Sequence, residues 1–372
     1  MKRPACWLMV SLAGSALAMS GGAQAGLTAE QVLASLKPEV RKQLQAGEIV
    51  VLARPEQETS DSGLAVSLAV IVPAGLDKSL ATLHSLSVKD DPKQRRTTRE
   101  IGGSVRGDGT SPAFAAVAFS ADEKGEVDKL LRAEPGDEFN FSEEELAWVR
   151  QAAAAGGNPA QAAATVMWRV LEGRYLAYRK AGLEGLRPYA RRGGARLSPG
   201  AELAATTEAM PLLRKELPDF YQAYRDYPKA GAEGLQQHFF WEKKTVEGRP
   251  MFSLRHEIVQ IKPDGAAIAN REFYISNSLN TLQVAIALLP HGTQTLVVPA
   301  NQTFTDKVAG AGRFVAVRIG RNMVESNIKP LFEQLQRALG IPAAKLRACR
   351  GHADRDRVWR RCPDRLAQVR GT

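Results

Sequence analysis

Apolar residues recur along this chain with two spacings, near 3.6 and 2, and each spacing predicts its own kind of element. Thr28-Ala29-Glu30-Gln31 has the form of a capping box, with Leu27 and Val32 placed as a hydrophobic staple. It predicts a helix to about Gln45 that stops at Gly47. EIVVLA (48–53) and LAVSLAVIV (64–72) predict strands, the second closed by Pro73. From Gly75 to Leu86, the residues Leu76, Leu80, Leu83 and Leu86 share one helical face. Val88 to Thr110 is polar and predicts loop or edge strand, and AFAAVAF (113–119) predicts a further strand. The middle of the chain is helical in pattern. Ser142 and Glu145 form a second capping box, with Phe141 and Leu146 as its staple. Asn158, Pro159 and Gly182 are placed as N-cap, first helical residue and stop of a longer helix. Another helix is expected around Ala201–Leu213.

From Gln237 the period changes to two. HFFWEKKTV, MFSLRHEIVQI, AAIANREFYI, TLQVAIALL and TQTLVVPANQTF read as strands, and the short links EGRP, KPDG, SNSLN and PHG favour an antiparallel meander. Val324, Ile328, Leu331, Phe332, Leu335 and Leu339 then follow a helical stripe wide enough to lie on a sheet. Pro330 sits within that stripe and predicts a kink or a restart, with Gly340 and Pro342 ending the helix. The expected fold class is α+β: a curved antiparallel sheet packed on a long C-terminal helix. A large helical insertion at about 121–235 belongs to the same domain, residues 26–339, with sheet and helix at about 236–339.

The ends of the chain place the protein. Lys2 and Arg3, an apolar run from Cys6 to about Met19, and Ala23-Gln24-Ala25 make up the three parts of a signal peptide, residues 1–25, cleaved after Ala25. The run is shorter than the ~20 residues that span a bilayer. A periplasmic or secreted protein is therefore expected. Cleavage removes Cys6 and leaves Cys349 and Cys362, which in an oxidising compartment most simply form a disulfide. A metal site with His352 is the alternative, but the spacing matches no common zinc pattern. The formal charge of +10 is lopsided: residues 340–372 hold nine Lys or Arg and three Asp. This basic, disulfide-pinned tail suits a solvated surface or an anionic membrane. No nucleic-acid motif accompanies the charge, so nucleic acid is not an expected partner.

In its order of elements the chain resembles the START-like, or helix-grip, superfamily of lipid and hydrophobic-ligand binding proteins. The resemblance rests on LAVSLAVIVPAGLDKSLATL, on NTLQVAIALLPHGTQTLVVP and on GRNMVESNIKPLFEQL, and spans Gln45 to Leu339. It is one of architecture, since the superfamily has no strict universal motif, and the region 121–235 departs from a minimal fold. It implies a ligand interior between sheet and helix. Alternation puts Phe252, Leu254 and Ile258 on one strand face with His256, and Phe273 and Ile275 with Arg271. Leu282, Val284, Ile286 and Leu288 form an apolar row on the next strand. The candidate ligand-binding residues are thus His256, Arg271, Phe252, Leu254, Phe273, Val284 and Ile286. An apolar small molecule or lipid is the expected partner, its anionic head suited to the planar fork of Arg271. The same faces also read as plain core, with Arg271 paired across strands to Glu257 or Glu272.

Signatures of chemistry are sparse. The chain has no G-x-S-x-G elbow, no H-E-x-x-H and no P-loop lysine. No catalytic residue, metal ligand or cofactor is assigned. AGAGRFVAVRIG (309–320) lacks the third glycine of a dinucleotide fingerprint and reads as a turn, and NQTFTD (301–306) reads as strand-end chemistry with Asp306 as an optional acid or base. Arg169, Arg174, Arg179, Arg187, Arg191, Arg192 and Arg196, with Tyr175, Tyr178 and Tyr189, read as a solvated basic face or a polyanion surface. Three functional classes follow. The first is a carrier of an apolar ligand. The second is a periplasmic hydrolase or isomerase using His256, Arg271 and Asp306 together. The third is a cell-envelope interaction protein with a filled core.

Overall fold

The structure is a computed structural model and describes residues 27–53, 62–92, 95–136, 138–229, 234–306, 325 and 328–341. The expected signal peptide, the Cys349–Cys362 pair, the basic tail after Ile341 and the 309–320 segment lie outside these residues.

Two short helices open the chain, α1 (Ala29–Ser35) and α2 (Pro38–Gln45). The capping box forms as its sequence dictates: the Thr28 hydroxyl accepts from Gln31 N–H, and the Gln31 side chain accepts from Thr28 N–H. One continuous helix was expected here. Pro38 divides it, because a proline in a helix interior removes a backbone donor, whereas at the first helical position it costs nothing. Strands β1 (Val50–Ala53) and β2 (Gly63–Val72) follow, then helix α3 (Leu76–Val88) and the short edge strand β3 (Thr97–Glu100). AFAAVAF forms no strand. It begins in a 3-10 turn at Pro112–Phe114 and gives Phe114 and Val117 to the core without pairing.

The middle of the chain contributes α4 (Lys124–Leu130), α5 (Glu143–Ala154) and α6 (Pro159–Ala181). A two-stranded ribbon, β4 (Tyr189–Ala190) and β5 (Arg196–Leu197), precedes α7 (Pro199–Glu208), α8 (Pro211–Glu216) and α9 (Pro218–Arg225). The five expected meander strands are β6 (Leu235–Val246), β7 (Arg249–Lys262), β8 (Gly265–Ile275), β9 (Thr281–His291) and β10 (Gln294–Phe304). Helical backbone resumes over 328–338 and includes Pro330. The residues just before 328, where a kink would show, are outside those described.

Eight strands make one open antiparallel sheet in the order β1-β2-β10-β9-β8-β7-β6-β3. The last meander strand therefore pairs with β2, which joins the N-terminal strands to the meander. Both faces of the sheet are covered, so strands such as β2 are buried along their whole length. On one face, α3 and the 328–338 helix pack Leu83, Phe332 and Leu335 against Leu68, Val70, Val297 and Ile268. On the other face, α1 and α2 cover one end of the sheet, α9 covers the middle, and α4 to α6 cover the β6–β8 end.

One irregularity re-aims a side chain. The β7–β8 register shifts between Leu254 and Arg255, so that Leu254 faces Tyr274 while Arg255 faces Glu272. Phe273 is the extra residue of a β-bulge, and both Phe273 and Tyr274 join the core beneath α6. Ile275, expected to share the Phe273 face, pairs with Ser253 and turns to the opposite side.

Candidate functional site

Helix α6 builds the site. Asn158 caps it by accepting from the N–H groups of Ala160 and Gln161, and Pro159 takes the first helical position. Its buried stripe ends in Arg174, Tyr175 and Tyr178, with exposed Arg179 beside them. Gly182 terminates the helix at φ +58°, and a Cβ there would overlap the Tyr227 carbonyl. Only glycine allows the 226–228 turn to close against the end of α6.

Between that turn, the end of α6, the 100–103 segment and β6 lies a cleft of about 520 Å³. Tyr175, Tyr227 and Phe239 give it aromatic walls, and Arg179, Gln237, His238 and Glu100 supply its polar groups. The Arg179 guanidinium lies 4.7 Å from the Phe239 ring centre, and its Nη1 donates to the Tyr175 hydroxyl at 2.9 Å. Among the described residues no carboxylate lies within 4.0 Å of it. Glu100, the one acid on the rim, is already paired with His238 Nδ1 at 2.9 Å.

Directly behind the cleft is a row of polar side chains that crosses the sheet. Register aligns Phe239 with His256, His256 with Arg271, Arg271 with Gln283 and Gln283 with Gln302, all on one face. His256 is fully buried, its ring stacked on Phe239 at 4.4 Å and tilted against Tyr227 at 4.5 Å. Its Nδ1 meets the Tyr178 hydroxyl at 2.8 Å, and its Nε2 meets Gln237 Oε1 at 3.2 Å. Arg271, also fully buried, donates to the Tyr178 oxygen at 3.2 Å and to Thr207 Oγ1 at 3.1 Å, and lies 3.9 Å from the Tyr224 ring centre. Burial, reinforced by the charges of Arg271 and Arg179, holds the His256 pKa well below its ordinary value, so the ring is neutral. Burial also raises the Tyr178 pKa, which keeps the phenol protonated.

The structure divides the seven sequence-derived candidates. His256 and Arg271 meet in this network. Phe252, Leu254 and Phe273 lie on the same face as filled core: Phe273 stacks on Tyr178 at 4.0 Å, and Phe252 packs edge-on to Phe119 at 5.3 Å. Val284 and Ile286 face the opposite side, with Ile268 and Phe332. They cannot share an enclosure with His256, because Asn270 and Ile268, their partners on β8, alternate with Arg271. Arg271 pairs with neither Glu257 nor Glu272. Those carboxylates sit on the far face, with His84 at 3.1 Å and Lys244 at 2.8 Å.

Asp306 does not converge with His256 and Arg271. It accepts from Arg191 Nε at 3.0 Å and from Asn280 Nδ2 at 2.9 Å. The arginine-rich set is no uniform surface either. Arg174 is buried against Glu145, Arg191 holds Asp306, and Arg169 stacks 4.0 Å from the Trp148 ring centre.

Sequence grouped Tyr178 and Arg179 only with the arginine-rich set, read as a basic face or polyanion surface, and did not single out Thr207, Tyr227 or Gln237. The one available signal was the Tyr175–Tyr178–Arg179 spacing at the end of α6, which puts three such groups on adjacent helical positions. Among the described residues there is no group of three or more His, Cys, Asp or Glu fit to hold a metal ion, and no helix long and apolar enough to cross a membrane. No protein-family model and no curated protein matches the chain.

Proposed function

We propose that this is an exported carrier or binding protein. Its ligand is a small molecule with an apolar or aromatic body and an anionic head, taken in the cleft at the end of α6. The observation that carries the reading is Arg179: an exposed guanidinium laid over aromatic rings, without a carboxylate partner among the described residues. A planar fork in that setting suits a carboxylate or a phosphate, and the rings of Tyr175, Tyr227 and Phe239 suit an apolar body. A volume of about 520 Å³ falls within the range usual for small-molecule sites and fits a single short acyl chain better than a two-chain lipid. Export rests on the three-part N-terminal pattern of residues 1–25.

The helix-grip resemblance enters the same proposal at the level of architecture. A long C-terminal helix is supported by helical backbone at 328–338 and by Phe332, Leu335 and Leu339 against the sheet. The ligand position departs from that comparison. The space between sheet and helix is filled by Leu68, Val70 and Val297, and the cleft opens on the other face.

Calorimetric titration of the full chain with decanoate and with decanol tests the reading. Decanoate is expected to bind at least about tenfold more tightly than decanol, and Arg179→Ala to remove that preference, as loss of one charge-assisted contact does. Equal binding of both, or an unchanged preference in the variant, overturns it.

A further inference from the structure

The hydrogen bonds behind the cleft run in one direction. Arg271 has only donors, so the Tyr178 oxygen accepts from its Nη1. The Tyr178 hydroxyl proton is then directed at His256 Nδ1, 2.8 Å away. Nδ1 is thereby the bare nitrogen of the neutral ring, and the ring proton is on Nε2, pointing at Gln237 Oε1. Gln237 is an exposed lining residue of the cleft. The chain of donors thus starts at a buried cation and ends in the ligand space.

The cation at its origin is unbalanced. Arg271 is fully buried, yet its partners are two hydroxyls and an aromatic face, and its Nε has no partner. No carboxylate among the described residues lies within 4.0 Å. A buried positive charge without a counter-charge favours negative charge in the nearest accessible space.

We infer that His256 Nε2–H is a second anchoring donor of the cleft, and that the Gln237 amide is its placeholder. A carboxylate held by Arg179 receives the Nε2 hydrogen bond when the Gln237 side chain turns out to solvent. A carboxylate accepts more strongly than an amide, and the exposed glutamine finds water instead. Tyr178 and Arg271 are positioning residues: they touch no ligand and fix which ring nitrogen bears the proton. The inference rests on the reading of the cleft as an anion-binding site.

Two measurements on the full chain test it. Nitrogen-15 NMR of histidine-labelled protein, with the His256 signals identified by their loss in His256→Gln, reports the ring tautomer without any ligand. The Nε2–H form is expected, together with a shift toward the Nδ1–H form in Tyr178→Phe. With decanoate as the probe, Gln237→Ala is expected to bind about threefold more tightly, and Tyr178→Phe about fivefold more weakly. An Nδ1–H tautomer in the native protein overturns the inference. So does native-like affinity in both variants; if Arg179→Ala still loses binding, only the inference falls and the cleft reading stands. Failure of the native protein to bind decanoate removes the cleft reading and this inference with it, whatever the tautomer.

Discussion

Arg174 and Arg271 both lie fully buried between α6 and the sheet, and they are solvated by opposite means. Arg174 donates to Glu145 at 2.6 Å, with the rings of Tyr189 and Tyr274 centred 5.0 and 4.5 Å from its guanidinium. Glu145 is itself the N3 residue of the α5 capping box, so the pair ties the start of α5 to α6. Arg271 has hydroxyls where Arg174 has a carboxylate. The first arrangement neutralises a charge inside the core. The second leaves the charge uncancelled and transmits it, through Tyr178 and His256, toward a cleft. Glu202 is the acidic counterpart of Arg271. It accepts from Thr281 Oγ1 at 3.0 Å and Asn280 Nδ2 at 3.3 Å, with no Lys or Arg within 4.0 Å among the described residues. Charges cancelled by ion pairs hold layers together here, whereas those held by neutral dipoles stay available to protons and ligands.

The largest test of this contrast is Arg174→Met. It leaves Glu145 fully buried with only the more distant Arg187 Nη1, 3.8 Å away, as counter-charge, and should cost about 4 kcal/mol, read from urea unfolding, with Arg174→Met/Glu145→Gln recovering more than half. A loss below about 1 kcal/mol would show that the pair does not hold the layers. Next is Gly182→Ala, at the end of the helix that carries Arg174 and Tyr178. Overlap with the Tyr227 carbonyl and a φ of +58° should cost about 3 kcal/mol. The displaced Tyr227 turn should also weaken decanoate binding, and calorimetry that finds native affinity in this variant would remove the turn from the site.

Glu202 makes the contrast titratable. Burial, with Asp306 adding repulsion, raises its pKa to about 7, against the hydrogen bonds from Thr281 and Asn280. The folded protein therefore binds this proton more tightly than the unfolded chain. The stabilisation is full below the ordinary carboxylate range and is lost as pH rises through about 7. For a half-buried group the loss is about 2 kcal/mol. Glu202→Gln should flatten that part of the stability–pH curve and exceed the native protein in stability above pH 7. A parallel curve for the variant would place the titration elsewhere. The smallest effect belongs to Arg271→Met, about 1 kcal/mol. It removes a charge without stranding an opposite one, and Thr207 keeps its bond to the Leu203 carbonyl at 2.8 Å. A cost equal to that of Arg174→Met would make the two arginines alike and end the comparison.

Local chemistry was legible in the sequence wherever the groups concerned are close along the chain. The capping boxes at Thr28 and Ser142, the Asn158–Pro159 start, the Gly182 stop and all five meander strands form as their residues predict. Alternation also put His256 on the face of Phe252 and Leu254. Pro38 marks a helix start in the sequence as well as in the structure. The site was legible only in fragments. His256 and Arg271 stood out as polar residues on apolar strands, but their partners Tyr178 and Thr207 lie 78 and 64 residues away.

By itself the sequence determined most of the elements, AFAAVAF excepted, with their caps and the period that sorts each strand into two faces, because these follow from contacts a few residues long. Tertiary structure alone decided how the faces of different strands combine. A period of two says which residues of one strand lie together. It does not say which face of the neighbour they join, and that depends on register and on the bulge at Phe273. Val284 and Ile286 therefore fell on the side away from His256, and Arg271 took hydroxyl partners from α6 and α7 in place of the glutamates beside it on the sheet. The cleft exists because a turn, a helix end and a sheet edge, each ordinary alone, close on one another at Gly182.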